Sequence, residues 1–391
     1  MADEMQKPWT IGRCLEWTTE FFERRGVQQP RVSAEWLLCS AAGLERIDLF
    51  TKRDLPLEQH ELDAMHQGIK RRALGEPLQY ITGETAFRRL NIMCAPGVLI
   101  PRPETELLVD YVLEYLDRNV TGWQKPRRKR VALPWNAEVE AARQAEAAAR
   151  AAAAATEAGD GAEAADATDI AGETSVEAPV PSVQDESAPT PAPAVQGASG
   201  AESDAPAEAP ASAPEVRPAR VLEVGCGTGC ISLALATERP GCVSCVATDI
   251  SDAAVDLAER NRAQLGVSPE AVDIRRGDLT APVRTEERFS FDVLVSNPPY
   301  IPSSVMEAIP REVRDYEPEL ALDGGRDGLD IFRRLVSAAP YMLKENGLLA
   351  CELFEDALED AARICTDAGM HDVEILKDLT GRQRFIFAHT G

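Results

Sequence analysis

No run of about 18 uninterrupted apolar residues occurs in the 391-residue chain, so no segment of it reads as a membrane-spanning helix. Met1–Pro8 is charged and has no apolar h-region, which predicts no secretory signal. Histidine is scarce: His60, His66, His371 and His389 are scattered, and support neither a metal site nor a His-based triad. His371 reads as a surface residue. Cys242-x-x-Cys245 has redox or zinc spacing, but no second Cys pair or nearby His accompanies it and Cys245 falls in a predicted strand; the pair reads as structural thiols. The nine cysteines are odd in number and sit in apolar segments, as expected of buried thiols in a reducing compartment, the cytoplasm. Extended basic surface is lacking too. Lys+Arg number 41 against 65 Asp+Glu, a net charge of −24, which argues against a general duplex-binding protein.

That charge is unevenly spread. Asn136–Arg217, 82 residues, carries 16 acidic and 3 basic side chains, 29 alanines and 8 prolines, with no Leu, Met, Phe, Tyr, Trp or Cys. Such a segment has too little apolar surface to offset its ordering entropy and is predicted to be disordered. The other 309 residues carry only −11. Growing a surface connection from about 8 to about 82 residues costs roughly 2 kcal/mol of loop-closure entropy, which a fold can carry. The basic cluster Lys125–Arg130 just before the segment reads as a solvated charge run, with RNA or an acidic partner as the alternative.

The chain divides by pattern into four parts: a helical domain over 1–80, a hairpin and helix over 81–122, the insert over 123–217, and an alternating region over 218–391. Ile11, Leu15, Thr18 and Phe22 fall at helical spacing, ending near Gly26; Ser33 is placed to cap a second helix; Leu57–Leu74 reads as a third. Glu84–Ile100 reads as a hairpin turning at Pro96-Gly97. A helix through Leu107–Leu116 follows Pro101-Arg102-Pro103-Glu104-Thr105-Glu106. From Pro218 strands and helices alternate, with seven strands at Arg220–Val224, Val243–Thr248, Val272–Arg275, Phe291–Val295, Gly347–Leu353, Val373–Leu376 and Arg384–Phe387. This density predicts an α/β fold with a doubly wound, mostly parallel seven-stranded sheet, and a ligand beyond the carboxyl ends of its strands.

Two loops carry the chemistry. Glu223-Val224-Gly225-Cys226-Gly227-Thr228-Gly229 joins the first strand to a helix. Glycines there permit a tight turn and close approach of a ligand to the backbone. The dinucleotide fingerprint requires a third glycine where Cys230 stands, and no nucleotide-hydrolase phosphate loop occurs. Asp249, 24 residues after Gly225, ends the second strand, where a carboxylate can accept from ribose hydroxyls; its alternative role is a charge at the helix start marked by Ser251 and Asp252. Asp278, with Leu279, follows the third strand, in reach of an adenine amino group. Three ligand-facing strand ends without a phosphate-binding feature describe S-adenosylmethionine better than NAD.

Asn297-Pro298-Pro299-Tyr300 follows the fourth strand. The prolines stiffen the loop, the Pro298 carbonyl is free to accept, Asn297 offers a second acceptor, and Tyr300 supplies a flat face. Two acceptors and a ring suit a planar –NH₂, hence methyl transfer to an amide or exocyclic amine nitrogen.

These residues resemble the class I S-adenosylmethionine-dependent amino-methyltransferases, whose Rossmann-like fold is the one expected above. Leu99-Ile100-Pro101-Arg102-Pro103-Glu104-Thr105-Glu106, behind a small helical domain, and Val313-Arg314-Asp315-Tyr316-Glu317-Pro318 with Ala321-Leu322-Asp323-Gly324-Gly325 resemble the peptide chain release factor N5-glutamine methyltransferases. The resemblance covers all but about Trp123–Arg217. It implies a glutamine substrate in the Gly-Gly-Gln motif of class I release factors. Asn297 and Pro298 would hold the amide, with Pro299 beside them and Tyr300 packed against it. Gly225, Cys226, Gly227, Thr228, Gly229, Asp249, Asp278, Leu279 and Asn297 would hold S-adenosylmethionine. Arg102 and Glu104 would line the site, or pair with each other as a helix cap. The helical domain would recognise the substrate, with neither membrane, metal nor nucleic-acid substrate involved, and the protein would act as a monomer. The family often has an aromatic at the Leu279 position and usually reads Glu-x-Gly where this chain has Glu352-Leu353-Phe354. Other readings are an adenine-N6 methyltransferase of RNA or DNA, a ribosomal-protein glutamine methyltransferase, and a catalytically silent cofactor-binding partner.

Overall fold

The computed structural model describes residues 8–124 and 218–391. Met1–Lys7, the Lys125–Arg130 cluster and the acidic insert lie outside the described residues. Among the described residues no helix is long and apolar enough to cross a membrane.

The amino-terminal part is helical. Helix Ile11–Arg25 starts at Thr10, whose hydroxyl accepts from the Arg13 N–H, and stops at the left-handed Gly26. Its buried face is Ile11, Cys14, Leu15, Thr18 and Phe22, one side of a 3.6-residue period. Helix Gln59–Ala73 opens with a reciprocal Glu58–Glu61 capping box. Ser33 does not cap the second helix, which runs Pro30–Ala42 with proline in its first turn. The proline fixes the start, leaving Ser33 one turn inside, where its buried hydroxyl accepts from Arg72 at 3.4 Å. Two short helices, Asp48–Thr51 and Leu78–Thr82, went unpredicted. Leu15, Phe22, Leu38, Leu49 and Met65 form the core of this part.

The hairpin is shorter than expected. Strands β1 (Glu84–Phe87) and β2 (Leu90–Met93) pair antiparallel and turn at Arg88-Arg89. Arg88 takes the left-handed φ of +54° that a two-residue turn needs, although no glycine marks the position. Pro96-Gly97 makes a separate bend, and Val98–Ile100 stays outside any strand. Pro103 then occupies the first turn of helix Pro103–Leu116.

The alternating region forms the expected seven-stranded sheet: β3 (Ala219–Val224), β4 (Val243–Asp249), β5 (Val272–Arg276), β6 (Phe291–Ser296), β7 (Leu343–Glu352), β8 (His371–Lys377) and β9 (Gln383–His389). Their order is β5-β4-β3-β6-β7-β9-β8. The pairs through β7 are parallel, and β9 is antiparallel to β7 and β8. Alternate residues serve two cores. Val221, Val293, Val295 and Leu348 pack with helices Pro103–Leu116 and Cys230–Glu238 on one face. Leu222, Leu294, Leu349 and Cys351 pack with helices Asp330–Met342 and Leu358–Asp367 on the other. Burial on both faces explains the near-continuous apolar strands. Phe332, fully buried, illustrates the energy scale: Phe→Ala in such a core costs about 3–5 kcal/mol. Cys245 is buried, and no metal-binding cluster occurs among the described residues.

From β3 the chain winds outward to β5 and then returns to β6 on the other side of β3. The strand order reverses there, which opens a crevice at the carboxyl ends of β3 and β6. Val224 and Ser296 are register partners, and the Ser296 hydroxyl donates to the Val224 carbonyl at 2.7 Å. The glycine loop and the Asn-Pro-Pro-Tyr loop therefore leave the sheet side by side.

Candidate active site

Two cavities occupy this crevice. The first, of about 270 Å³, is lined by Gly225–Thr228, Asp249, Asp278, Leu279 and Asn297–Pro299. Gly225, Gly227 and Gly229 all have positive φ. Gly225 and Cys226 donate backbone N–H groups to the Thr248 carbonyl at 2.8 and 3.0 Å, and Gly227 donates to Asp249 Oδ2 at 2.9 Å. Gly229 sits behind the loop: a Cβ there would lie 3.2 Å from that of Ala258, so this glycine serves helix packing. Asp249 Oδ1 accepts from the Ser251 N–H at 2.9 Å. One carboxylate thus ties the glycine loop to the end of β4 while lining the cavity. Asp278 also lines it and pairs with Arg334 at 2.6 Å. Leu279 holds a left-handed φ of +48°, and its carbonyl accepts from the Thr248 hydroxyl at 2.8 Å.

Glu223 was missed as a site residue. It is 1% exposed; Oε2 accepts from the Ser232 N–H at 2.9 Å, while the buried Oε1 has no partner among the described residues. Burial pushes its carboxyl up to about 8. A buried carboxylate with an unused oxygen beside a cavity calls for a cation. The ammonium and sulfonium of S-adenosylmethionine supply that charge, so the residues present fit the group. The available signal was an acidic residue inside the otherwise apolar Val221-Leu222-Glu223-Val224.

Two substitutions test this half of the site. Because folding raises the Glu223 carboxyl, the folded chain binds its proton more tightly, and this group's contribution to stability falls as pH rises from about 4.5 to about 8. Glu223→Gln should therefore raise the melting temperature of the cofactor-free protein at pH 8, yet weaken S-adenosylmethionine binding about tenfold or more. Thermal melts with and without cofactor check both. Asp249→Ala removes the tether of the glycine loop along with an acceptor. It should weaken cofactor binding about 10- to 100-fold by calorimetry, with a smaller effect on kcat at saturation.

The second cavity, of about 300 Å³, is lined by Arg102, Glu104, Tyr300, Val313, Glu352 and Arg384, among others, and shares Leu99, Arg102, Asn297 and Ala321 with the first. Asn297 thus stands where the two meet. Pro298 and Pro299 face the first cavity and Tyr300 the second.

A hydrogen-bonded chain fixes Asn297. Its Nδ2 donates to Thr105 Oγ1 at 3.0 Å, Thr105 donates to Glu352 Oε2 at 2.8 Å, and the Tyr300 hydroxyl donates to Glu352 Oε1 at 3.2 Å. Thr105 has one proton and gives it to the carboxylate, so it can only accept from Asn297. The network therefore assigns the Asn297 amide with Oδ1 free as an acceptor. Among the described residues no donor satisfies the Pro298 carbonyl either. Glu352 is 1% exposed, and its burial pushes the carboxyl up to about 7. Burial and the neighbouring Glu352 charge raise the Tyr300 phenol.

Arg102 does not pair with Glu104. It bonds Glu317 at 2.6 Å, and Glu317 also accepts from the Ile100 N–H at 3.3 Å. Burial disfavours a lone Glu317 carboxylate, and the guanidinium supplies the counter-charge. Arg72 in turn bonds Glu312 at 2.7 Å, and the Tyr316 hydroxyl reaches the Leu74 carbonyl at 3.2 Å. These bonds fasten the segment that walls the second cavity to the helical part. Gly324 packs against the Asn-Pro-Pro-Tyr loop: a Cβ there would lie 2.7 Å from Tyr300 Cα.

Comparison with known proteins now bears on this arrangement. Residues 13–83 match the family described as PrmC N-terminal domain, and residues 207–311 the one described as methyltransferase small domain. A release factor glutamine methyltransferase of Geobacter sulfurreducens is 31% identical over 388 residues, covering 99% of this chain and 99% of that protein. The chain belongs to the release factor glutamine methyltransferase family. Relatives of the same name from Moorella thermoacetica and Chlorobaculum tepidum are 31% and 28% identical over 367 and 373 residues, covering 93% and 95% of each chain. The sheet and crevice are those of a class I S-adenosylmethionine-dependent methyltransferase.

Two departures of this chain from the Glu-x-Gly and aromatic patterns have a local account. Phe354 has φ −66° and ψ 136°, ordinary backbone that needs no glycine. Leu279 packs against the core under helix Asp330–Met342, an apolar surface in place of an aromatic one.

Proposed function

We propose that this protein transfers the methyl group of S-adenosylmethionine to the side-chain amide nitrogen, N5, of the glutamine in the Gly-Gly-Gln motif of class I peptide chain release factors, in the cytoplasm. The observation that carries this reading is the position of Asn297, shared by two cavities and held with its carbonyl free. One cavity has the buried carboxylate Glu223 for a cationic methyl donor. The other has the size and polarity for a side chain ending in an amide.

An amide nitrogen is a poor nucleophile because its lone pair is delocalised. Asn297 Oδ1 and the Pro298 carbonyl take its two hydrogens, and the Tyr300 ring packs against its plane. Holding both hydrogens turns the lone pair toward the first cavity. S-adenosylmethionine supplies a methyl carbon activated by a positively charged sulfur. The protein's task is alignment: Thr105 and Glu352 fix Asn297, and Arg102 with Glu317 fixes the cavity wall. The helical part, bonded to that wall through Arg72 and Glu312, is suited to receive the rest of the release factor.

Incubation of the protein with S-adenosylmethionine and a release factor, followed by mass spectrometry of the peptide containing Gly-Gly-Gln, tests the reading. One methyl group on that glutamine is expected. Label entering only RNA, DNA or a ribosomal protein would overturn it.

A further inference from the structure

We propose that Arg384 is a substrate-binding residue that receives the carbonyl oxygen of the acceptor amide, so that the second cavity holds a carboxamide at both ends. This rests on the glutamine reading above and adds to it the group that receives the carbonyl end of the amide, while the Asn297 carbonyl at the other end excludes a carboxylate.

Arg384 lies in β9, beside the end of β7 that carries Glu352; the Leu353 N–H donates to the Arg384 carbonyl at 2.9 Å. Its side chain is 15% exposed and lines the second cavity. Its Nε is buried and has no hydrogen-bond partner among the described residues. Asp378 Oδ2 lies 4.0 Å from this Nε, too far for a hydrogen bond. Asp378 meanwhile accepts from Thr380 and from the Arg382 N–H through its other oxygen. A buried guanidinium N–H without an acceptor is costly, and the cost is removed when a bound group supplies an oxygen.

The remaining polar groups of the cavity show which oxygen fits. The Asn297 carbonyl is an acceptor. The Tyr300 hydroxyl has given its proton to Glu352, Glu104 adds a carboxylate, and Arg102 is ion-paired through Nη2 with Glu317. Of the two arginines that line the cavity, Arg102 is hydrogen-bonded to a carboxylate and Arg384 is the one whose Nε has no acceptor among the described residues. A primary carboxamide is the complement: two N–H groups at one end, a carbonyl at the other. A glutamate of the same shape would set a carboxylate oxygen against the Asn297 carbonyl, an unpaired buried contact that rejects it.

The test is steady-state methyl transfer to a release factor by wild type, Arg384→Met and Arg384→Lys, with S-adenosylmethionine affinity measured by calorimetry. Arg384→Met should raise KM for the release factor or lower kcat by a combined tenfold or more, with cofactor affinity within twofold of wild type. Arg384→Lys, which keeps a cation of similar reach, should recover part of the loss. If Arg384→Met fails to bind the cofactor, Arg384→Lys decides: wild-type kinetics with the release factor would overturn the assignment, and a selective loss toward the release factor would support it. Wild-type kinetics in both variants would overturn it as well, as would equal losses toward cofactor and release factor, the mark of a structural role. Absence of methyl from the glutamine with wild-type protein would instead sink the proposed function, and this inference with it.

Discussion

Asn297→Ala is expected to lower kcat about a thousandfold while leaving S-adenosylmethionine affinity within a few-fold of wild type. The substitution removes Oδ1, the acceptor that orients the amide nitrogen, and Nδ2, the donor to Thr105 at 3.0 Å. The glycine loop, Asp249 and Glu223, which line the cofactor side, are untouched. Loss of one positioned transition-state hydrogen bond costs about 10²–10³ in kcat; disorder of the Thr105 hydroxyl adds to it. Asn297→Asp should be no milder. A carboxylate there brings a second negative charge near buried Glu352 and drives one of the two to hold a proton. Single-turnover kinetics with calorimetry separate the cases. Cofactor affinity collapsing with unchanged turnover per bound cofactor would show that Asn297 serves the cofactor and not the acceptor.

Much of this site was legible in the sequence because it is built on local rules. The strands of the sheet are apolar runs bounded by turn residues, and strand–helix alternation allows few topologies. Gly225-Cys226-Gly227-Thr228-Gly229 and Asn297-Pro298-Pro299-Tyr300 each constrain their own backbone, so their identity marked their place. What stayed hidden depends on residues brought together by the fold. Asn297, Thr105 and Glu352 form one chain, yet Thr105 lies 192 residues from Asn297 and 247 from Glu352. Nothing in the spacing of Thr105 distinguishes it from an ordinary first-turn threonine. Arg102 had Glu104 as its near neighbour, but Glu317, 215 residues away, won because it is buried and needs the charge more. The hairpin turn was misplaced for a related reason. Arg88 adopts a glycine-like φ while its guanidinium bonds Glu238 and the Glu106 carbonyl, a tertiary anchor that pairs no local signal with the turn.

The rate of methyl transfer is expected to fall as pH drops below about 7 and to level off above it, and Glu352→Gln should abolish that dependence while lowering kcat. The carboxyl stands at about 7, raised by burial against the opposing effects of the Thr105 hydrogen bond and the Arg384 charge. As a carboxylate it accepts from both Thr105 and Tyr300. Protonated, it carries a hydrogen that must be given to one of them, and that hydroxyl must then turn its own proton elsewhere. If Thr105 turns, its proton points at Asn297, the Asn297 amide has to reverse, and Nδ2 faces the acceptor where Oδ1 is required. Glutamine at 352 offers one oxygen and one –NH₂, so at every pH it can accept from only one of the two hydroxyls. Loss of activity below pH 7 would then reflect a turned amide and not unfolding. The sign of the linkage separates the two. A carboxyl held above its ordinary 4.5 gives the folded chain the tighter grip on the proton, so between about pH 7 and 4.5 this group adds stability as pH falls. Wild type should therefore lose turnover across the upper part of that window with no larger fall in melting temperature than Glu352→Gln shows. A wild-type melting temperature that fell in step with the rate, and faster than that of the variant, would assign the pH dependence to unfolding and remove Glu352 from the positioning of Asn297.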